Sequence, residues 1–224
     1  HGRLQYDGRS NHGCVSGLVC THADHMETLM SSSQARKPPN PKSKTAEDHL
    51  PGDLSREALI ARIIRVDQAG EYGAKRIYEG QLAVLAGTED EPILREMLEQ
   101  ELEHLKEFDN LLANRKVRPT ALQPLWHVAG YALGFGTALI GREAAMACTV
   151  AVEEVIDEHY ASQSDQLGDD EQDLRNKIEK FRSDEQHHRD LGLEHGAESA
   201  PAYPVLKGAI KAGSRLAIWL SSRV

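Results

Sequence analysis

Residues 97–108 read MLEQELEHLKEF and contain a pair of residues that can bind metal. They are strong helix formers without Gly or Pro, and apolar residues recur at steps of three or four, which predicts an amphipathic helix. Glu101 and His104 lie three residues apart, about 300° of helical turn, so both side chains leave the same face of the helix. Such a pair can bind one metal ion, although taken alone it is more often solvated charge on a helix surface.

A second copy of the pair strengthens the metal interpretation. Glu185 and His188 repeat the spacing near the C-terminal end. An isolated glutamate precedes each copy, since Glu71 lies 30 residues before Glu101 and Glu153 lies 32 residues before Glu185. Two helix pairs that each offer Glu and then Glu-x-x-His carry the ligand set of di-iron and di-manganese carboxylate bundles. Four carboxylates and two imidazoles suit two divalent ions of the iron or manganese type.

The length, charge distribution and cysteine count restrict the class of protein further. The chain has 224 residues and a net charge of −9, enough for one domain with a substantial core. The acidic residues are concentrated in residues 53–200, which argues against a nucleic-acid-binding surface. The three cysteines are Cys14, Cys20 and Cys148. Three cysteines, an odd number, do not form a disulfide framework and favour a reducing compartment. Cys148 is predicted to be a small buried hydrophobic residue.

The chain divides into a leader and a helical domain. Residues 1–52 lack apolar periodicity and contain Ser and Pro clusters, which predicts a disordered leader with a misannotated start, because Met26 and Met30 are plausible first residues. Residues 53–224 form the predicted domain. Its expected helices cover 53–86, 91–115, 142–166, 171–195 and 204–222. Gly70 and Gly73 flank Glu71 and predict either a packing notch or room for a bound ion.

Two segments outside the ligand helices indicate membrane contact. Residues 119–141 contain no Lys, Arg, Asp or Glu, and the run either spans a bilayer or, as we prefer, lies half in the bundle and half against lipid or a quinone tail. Gly130-x3-Gly134 would permit close helix packing.

The last helix, 204–222, carries an apolar stripe (Leu206, Ile210, Ala217, Leu220), Trp219 as an interface anchor, and the basic residues Lys207, Lys211 and Arg215. This pattern predicts an interfacial helix docked on anionic lipid. The alternative is a helix that only closes the bundle, with its basic side chains in water.

Four runs resemble one family, the demethoxyubiquinone hydroxylases of ubiquinone biosynthesis. They are IRVDQAGEYGA at 64–74, VRPT at 117–120, AAMACTVAVEE at 144–154 and AESAPAY at 197–203. The resemblance spans about residues 55–224 and implies an all-α, ferritin-like four-helix bundle with a di-iron site and additional apolar and amphipathic membrane-facing helices. The family's iron ligands fall on the six residues chosen by spacing: Glu71, Glu101, His104, Glu153, Glu185 and His188.

The resemblance also implies the reaction and its partners. Two Fe ions per chain and O2 would hydroxylate the benzoquinol ring of a polyprenylated ubiquinone precursor, with NADH as an external two-electron reductant. The enzyme would sit peripherally on the cytoplasmic face of a bacterial cell membrane or, alternatively, on the matrix face of the mitochondrial inner membrane. A homo-oligomer or other ubiquinone-biosynthesis proteins are the expected protein partners.

Two further residues and two rival classes complete the expectations. His159 and Tyr160 follow Glu153 on its helix, and the resemblance implies that they help to move protons and electrons between quinol and iron. The alternative is ordinary hydrogen bonding in the core. Asp67 and Asp157 are the expected acceptors for the outer N–H groups of the ligand histidines. The rival classes are a ferroxidase or peroxidase of the ferritin-like group and a non-catalytic helical scaffold.

Overall fold

The computed structural model describes residues 52–224, which form six α-helices and, within that range, no strand. They are α1 (Arg56–Leu85), α2 (Glu91–Arg115), α3 (Gln123–Ile140), α4 (Arg142–Gln166), α5 (Gln172–Glu194) and α6 (Tyr203–Ser221). The all-α prediction is confirmed. The predicted leader, with Cys14 and Cys20, lies outside the residues described apart from Gly52.

Local sequence signals set the helix boundaries. The hydroxyl of Ser55 accepts a hydrogen bond from the backbone N–H of Ala58 at 3.2 Å and caps α1. Gly87 (φ +82°) follows α1, and Lys116 closes α2 in the left-handed conformation (φ +53°). Short connections therefore join long helices, and the observed ends lie within three residues of the predicted ones.

The four ligand-bearing helices pack as two hairpins, α1 with α2 and α4 with α5. Their shared interior is apolar, with Ile64, Phe108, Ala151 and Ile178 buried together. Cys148 lies in the same core, so its predicted role as a buried hydrophobe is confirmed. Glutamate and histidine at one-turn spacing on these inner faces point into the bundle.

Helix α3 packs against α1 through glycines. A Cβ added at Gly134 would lie 1.9 Å from the carbonyl oxygen of Ile77, and one at Gly80 would lie 2.3 Å from that of Tyr131. The close packing predicted for the Gly-x3-Gly run is therefore confirmed, with α1 as the partner. None of the helices in residues 52–224 has both the length and the apolarity that a membrane crossing requires.

The prediction for α6 was wrong about which side chains face outward. The predicted lipid-facing basic residues point at α4, where Lys207 and Lys211 contact Glu154 and Arg215 contacts Glu158. The apolar stripe through Ile210 faces the bundle as well. The exposed apolar face of α6 is a different one, formed by Val205, Ala209, Ala212, Leu216 and Trp219, of which only Trp219 was predicted to face outward. Acidic side chains on the neighbouring helix, which helical periodicity does not reveal, reversed the assignment.

Candidate metal centre

The six predicted ligands meet at the centre of the bundle. Each is at most 1% exposed, although all six are polar. Their ligand atoms fall into two groups, each with all members within 4.8 Å of one another. The first group is Glu71, Glu101, His104 and Glu185, and the second is Glu101, Glu153, His188 and Glu185.

The two histidines belong to different groups. Nδ1 of His104 lies 3.1 Å from Oε1 of Glu185 and 3.5 Å from Oε2 of Glu71. Nδ1 of His188 lies 3.3 Å from the other oxygen of Glu185 and 3.2 Å from Oε1 of Glu101. Glu101 and Glu185 are common to both groups, so each of these carboxylates could contribute ligand atoms to either of two bound ions.

The chemistry of this cluster fits two bound cations. Several buried atoms of the cluster approach one another to 3.1–3.3 Å but make no well-aligned hydrogen bond within the described residues. They are both oxygens of Glu101 and of Glu185 and the Nδ1 atoms of both histidines. Burial and the charge of Glu185 raise the pKa of Glu101 and of Glu153 well above the usual range. Buried groups left this way are costly unless a charge compensates them. Two divalent ions would accept the unpaired lone pairs and supply the missing positive charge.

The outer hydrogen bonds of the histidines differ from the prediction. Nε2 of His104 lies 3.1 Å from Oδ2 of Asp184, and Nε2 of His188 lies 2.9 Å from Oε1 of Gln100. The predicted acceptors lie elsewhere, since Asp67 contacts Gln163 and His159, while Asp157 contacts Arg182 and Gln186. The predicted pairing considered residues one turn from the isolated glutamates, but each imidazole points across the bundle toward the helix of the other hairpin.

Two buried tyrosines hold the two isolated glutamates. The Tyr160 hydroxyl donates to Oε1 of Glu71, and the Tyr78 hydroxyl donates to Oε1 of Glu153 at 2.7 Å. Burial, with carboxylates nearby, raises the pKa of both phenols well above the usual value, so both stay protonated donors. The sequence interpretation missed Tyr78. The signal was available, because Tyr78 lies seven residues after Glu71 just as Tyr160 lies seven after Glu153.

A cavity of about 270 Å³ reaches the cluster at Glu71. Helices α1, α3, α4 and α6 line it, mainly with apolar side chains, and its titratable lining residues are Asp67, Glu71, His159 and Tyr160. A Cβ at Gly70 or Gly73 would meet nothing within 4 Å, so these two glycines leave open space beside Glu71. The backbone of Gly73 also packs closely on α3, since a Cβ added at Gly130 would lie 2.8 Å from the carbonyl oxygen of Gly73. Both interpretations of these glycines therefore find support in the packing, and room for a bound ion stays a prediction.

Four buried carboxylates and two buried imidazoles on four helices are the arrangement used by the class of di-metal carboxylate helix bundles. Comparison with known proteins is more specific. Residues 58–221 match the family model described as "Ubiquinone biosynthesis protein COQ7". The chain belongs to this family.

Curated relatives extend over most of the chain. A 3-demethoxyubiquinol 3-hydroxylase of Rhodospirillum rubrum is 63% identical over 182 residues, covering 81% of this chain and 86% of the relative. The human NADPH-dependent 3-demethoxyubiquinone 3-hydroxylase, mitochondrial, is 55% identical and covers 75% and 79%. The mitochondrial 5-demethoxyubiquinone hydroxylase of Saccharomyces cerevisiae is 39% identical and covers 88% and 94%.

Proposed function

We propose that this protein is an O2-dependent di-iron monooxygenase that hydroxylates the benzoquinol ring of a polyprenylated demethoxyubiquinol in ubiquinone biosynthesis. The observation that carries the proposal is the contact between an apolar cavity and a buried carboxylate–histidine cluster at Glu71. The names of the relatives support the choice of reaction and substrate.

The six cluster residues would hold the two irons within a ferritin-like four-helix bundle. Two ferrous ions held by these residues would supply the two electrons that O2 activation needs. The protein contributes the surroundings. Tyr160 and Tyr78 fix the carboxylates of Glu71 and Glu153 by hydrogen bonds, and the buried apolar shell around the cluster excludes water.

The inner end of the cavity would orient the quinol ring. Asp67 is buried and accepts from Gln163 through Oδ1 at 2.6 Å, while its Oδ2 has no partner among the described residues. An unpaired buried acceptor beside the cluster suits a ring hydroxyl, which is a donor. His159 lies next to Gln163 and lines the same cavity, so we propose that its imidazole receives a proton from the quinol. Tyr160 stays protonated and donates to Glu71, so its proposed role is to relay a proton toward that carboxylate.

The polyprenyl tail would enter from a membrane surface. Helix α3 exposes Leu125, Val128, Ala132, Phe135 and Leu139 on one face, and α6 exposes its own apolar face. The cavity lies between these two helices on one side and α1 and α4 on the other. We therefore propose peripheral attachment of residues 53–224, as one domain, to a bacterial cytoplasmic membrane or to the matrix face of the mitochondrial inner membrane.

The electron donor is proposed to be an external nicotinamide, NADH or NADPH. Relatives from Dictyostelium discoideum and Homo sapiens are named NADPH-dependent, which supports the class of donor. The proposed protein partners are a second copy of this chain or other ubiquinone-biosynthesis proteins.

The test is genetic and chemical. A strain lacking the protein should accumulate the demethoxy precursor, and the wild-type gene should restore ubiquinone. Glu101→Ala should fail to restore it with helical content retained, whereas Glu99→Ala, a change of an exposed carboxylate on the same helix, should succeed. Normal ubiquinone in the deletion strain would refute the proposal. Iron oxidation by O2 without any quinol product would favour the ferroxidase alternative, and a purified protein free of metal would favour the scaffold.

A further inference from the structure

The helices α1 and α2 repeat the side chains of α4 and α5, and their hydrogen bonds cross between the halves. Glu71, Tyr78 and Gln81 correspond to Glu153, Tyr160 and Gln163, each pair 82 residues apart. Each tyrosine donates to the glutamate of the other half. Nε2 of each histidine contacts the residue just before the second glutamate of the other half. The cluster therefore has an internal pseudo-twofold arrangement.

The repetition fails at the residue behind each imidazole. His104 faces the carboxylate of Asp184, whereas His188 faces the neutral amide oxygen of Gln100. An imidazole whose outer N–H donates to a carboxylate is a more basic metal ligand than one whose N–H donates to an amide. Lys180 lies 3.4 Å from Asp184 but is 65% exposed, so solvent screens its charge.

A second difference between the halves also favours cation binding at the position of Glu71 and His104. Gln163 donates to Asp67 at 2.6 Å, and the corresponding Gln81 lies 3.4 Å from the hydroxyl of Thr149. A buried carboxylate therefore stands one turn from Glu71, where the other half has a neutral residue one turn from Glu153. Burial raises the pKa of Asp67, and a cation bound beside Glu71 would favour the ionised carboxylate, so ion and carboxylate would stabilise each other.

A third difference concerns access. Gly70 and Gly73 line the cavity beside Glu71, and the corresponding residues beside Glu153 are Val152 and Val155. The cavity touches Glu71 and Tyr160 but is not lined by Glu153 or Tyr78. The acid-rich half of the cluster is therefore also the half that a substrate can approach.

We propose that the two metal positions are unequal, and that the position of Glu71 and His104 binds its divalent ion first and more tightly because Asp184 stands behind His104. The inference rests on the proposed di-metal site. It makes Asp184 a positioning residue, which acts through His104, and it places the tighter ion on the cavity side.

Titration of metal-free protein with Co²⁺, without O2 or quinol, tests this inference. We expect two binding steps for the wild type. Asp184→Asn should weaken the first step about 10- to 100-fold and leave the second unchanged. Asp190→Asn, which removes an exposed carboxylate from the same helix, should change neither step. Gln100→Glu should strengthen the second step.

Ligand variants assign the steps to positions. Glu71→Ala should remove the tight step, and Glu153→Ala should remove the weak one. Two equal steps in the wild type, or loss of the tight step in Glu153→Ala, would overturn the inference while leaving the proposed function standing. Absence of any Co²⁺ binding would overturn both. Should Asp184→Asn fail to fold, judged by circular dichroism, an unchanged second step in Gln100→Glu would still contradict the inference.

Discussion

At the scale of single residues, the two cluster tyrosines share one structural role and differ in access to the cavity. Tyr78 and Tyr160 each donate to a buried glutamate, but only Tyr160 lines the cavity. Removing either hydroxyl leaves a carboxylate oxygen unpaired, so Tyr78→Phe and Tyr160→Phe should each lower the free energy of unfolding of the metal-free protein by about 1–3 kcal/mol.

Their effects on turnover should separate. We expect Tyr160→Phe to lower kcat at full metal content and Tyr78→Phe to retain most of it, since only the first phenol can contact a bound quinol. Urea unfolding measures the loss of stability expected in both variants. Quinol turnover at matched metal content measures the difference in kcat between them. Equal loss of kcat in both variants would remove the special role assigned to Tyr160.

At the scale of helices, glycines in α1 and α3 have opposite functions. Gly134 allows α3 to contact the backbone of Ile77, whereas Gly70 faces open space in the cavity. Gly134→Ala should destabilise the protein by about 1–3 kcal/mol through overpacking. Gly70→Ala should stabilise it by up to about 1 kcal/mol, because alanine is the better helix former. Thermal unfolding of both variants checks the signs, and destabilisation by Gly70→Ala would contradict an open cavity at that point.

The ends of three helices meet at Asp90, which precedes α2. Its carboxylate accepts from Arg142 at the start of α4 at 2.7 Å, and Nδ1 of His195 after α5 lies 2.9 Å away. Burial acts to raise the pKa of Asp90, but the hydrogen bonds to Arg142 and His195 outweigh it and hold the pKa below its usual range. A depressed pKa means that the ionised form stabilises the fold, and this stabilisation is lost as pH falls through the folded-state value.

Asp90→Asn should therefore cost about 1–3 kcal/mol at pH 7, since Arg142 is partly exposed, and progressively less below about pH 4. Urea unfolding of wild type and variant at pH 7 and at pH 3 measures the difference. An effect of the same size at both pH values would show that the charge of Asp90 contributes nothing.

At the scale of the whole molecule, the contacts of α6 indicate that membrane binding should depend on its exposed apolar side chains and not on its basic ones. Lys207, Lys211 and Arg215 are engaged with Glu154 and Glu158, whereas Leu216 and Trp219 are half exposed. Attachment should then depend on apolar area more than on lipid charge.

We therefore expect similar binding to neutral and anionic vesicles, with little dependence on salt. Leu216→Ser with Trp219→Ser should weaken vesicle binding tenfold or more, because about half of each large side chain is free to enter lipid and its withdrawal costs roughly 0.8–1.5 kcal/mol. Lys207→Gln with Lys211→Gln should leave binding nearly unchanged. Co-sedimentation measures all three proteins, and strong salt dependence would restore the electrostatic model of docking.

The sequence alone determined the helices and the six cluster residues. Apolar periodicity and helix-breaking residues are local signals, so the boundaries followed within a few residues. The duplicated Glu and Glu-x-x-His spacing identified residues that the fold brings together, because a three-residue step always shares one helix face. Their metal binding stays a prediction, as do the roles of His159 and Tyr160.

Only the tertiary structure decided which groups meet across the bundle. The partners of His104 and His188 are Asp184 and Gln100 on the opposite hairpin. The predicted partners, Asp67 and Asp157, each lie one turn from an isolated glutamate and contact neither histidine. The basic residues of α6 found glutamates on α4, which turned a different apolar face outward. Helical periodicity assigns a side chain to a face of its own helix, but the charge and shape of the neighbouring helix decide what that face contacts.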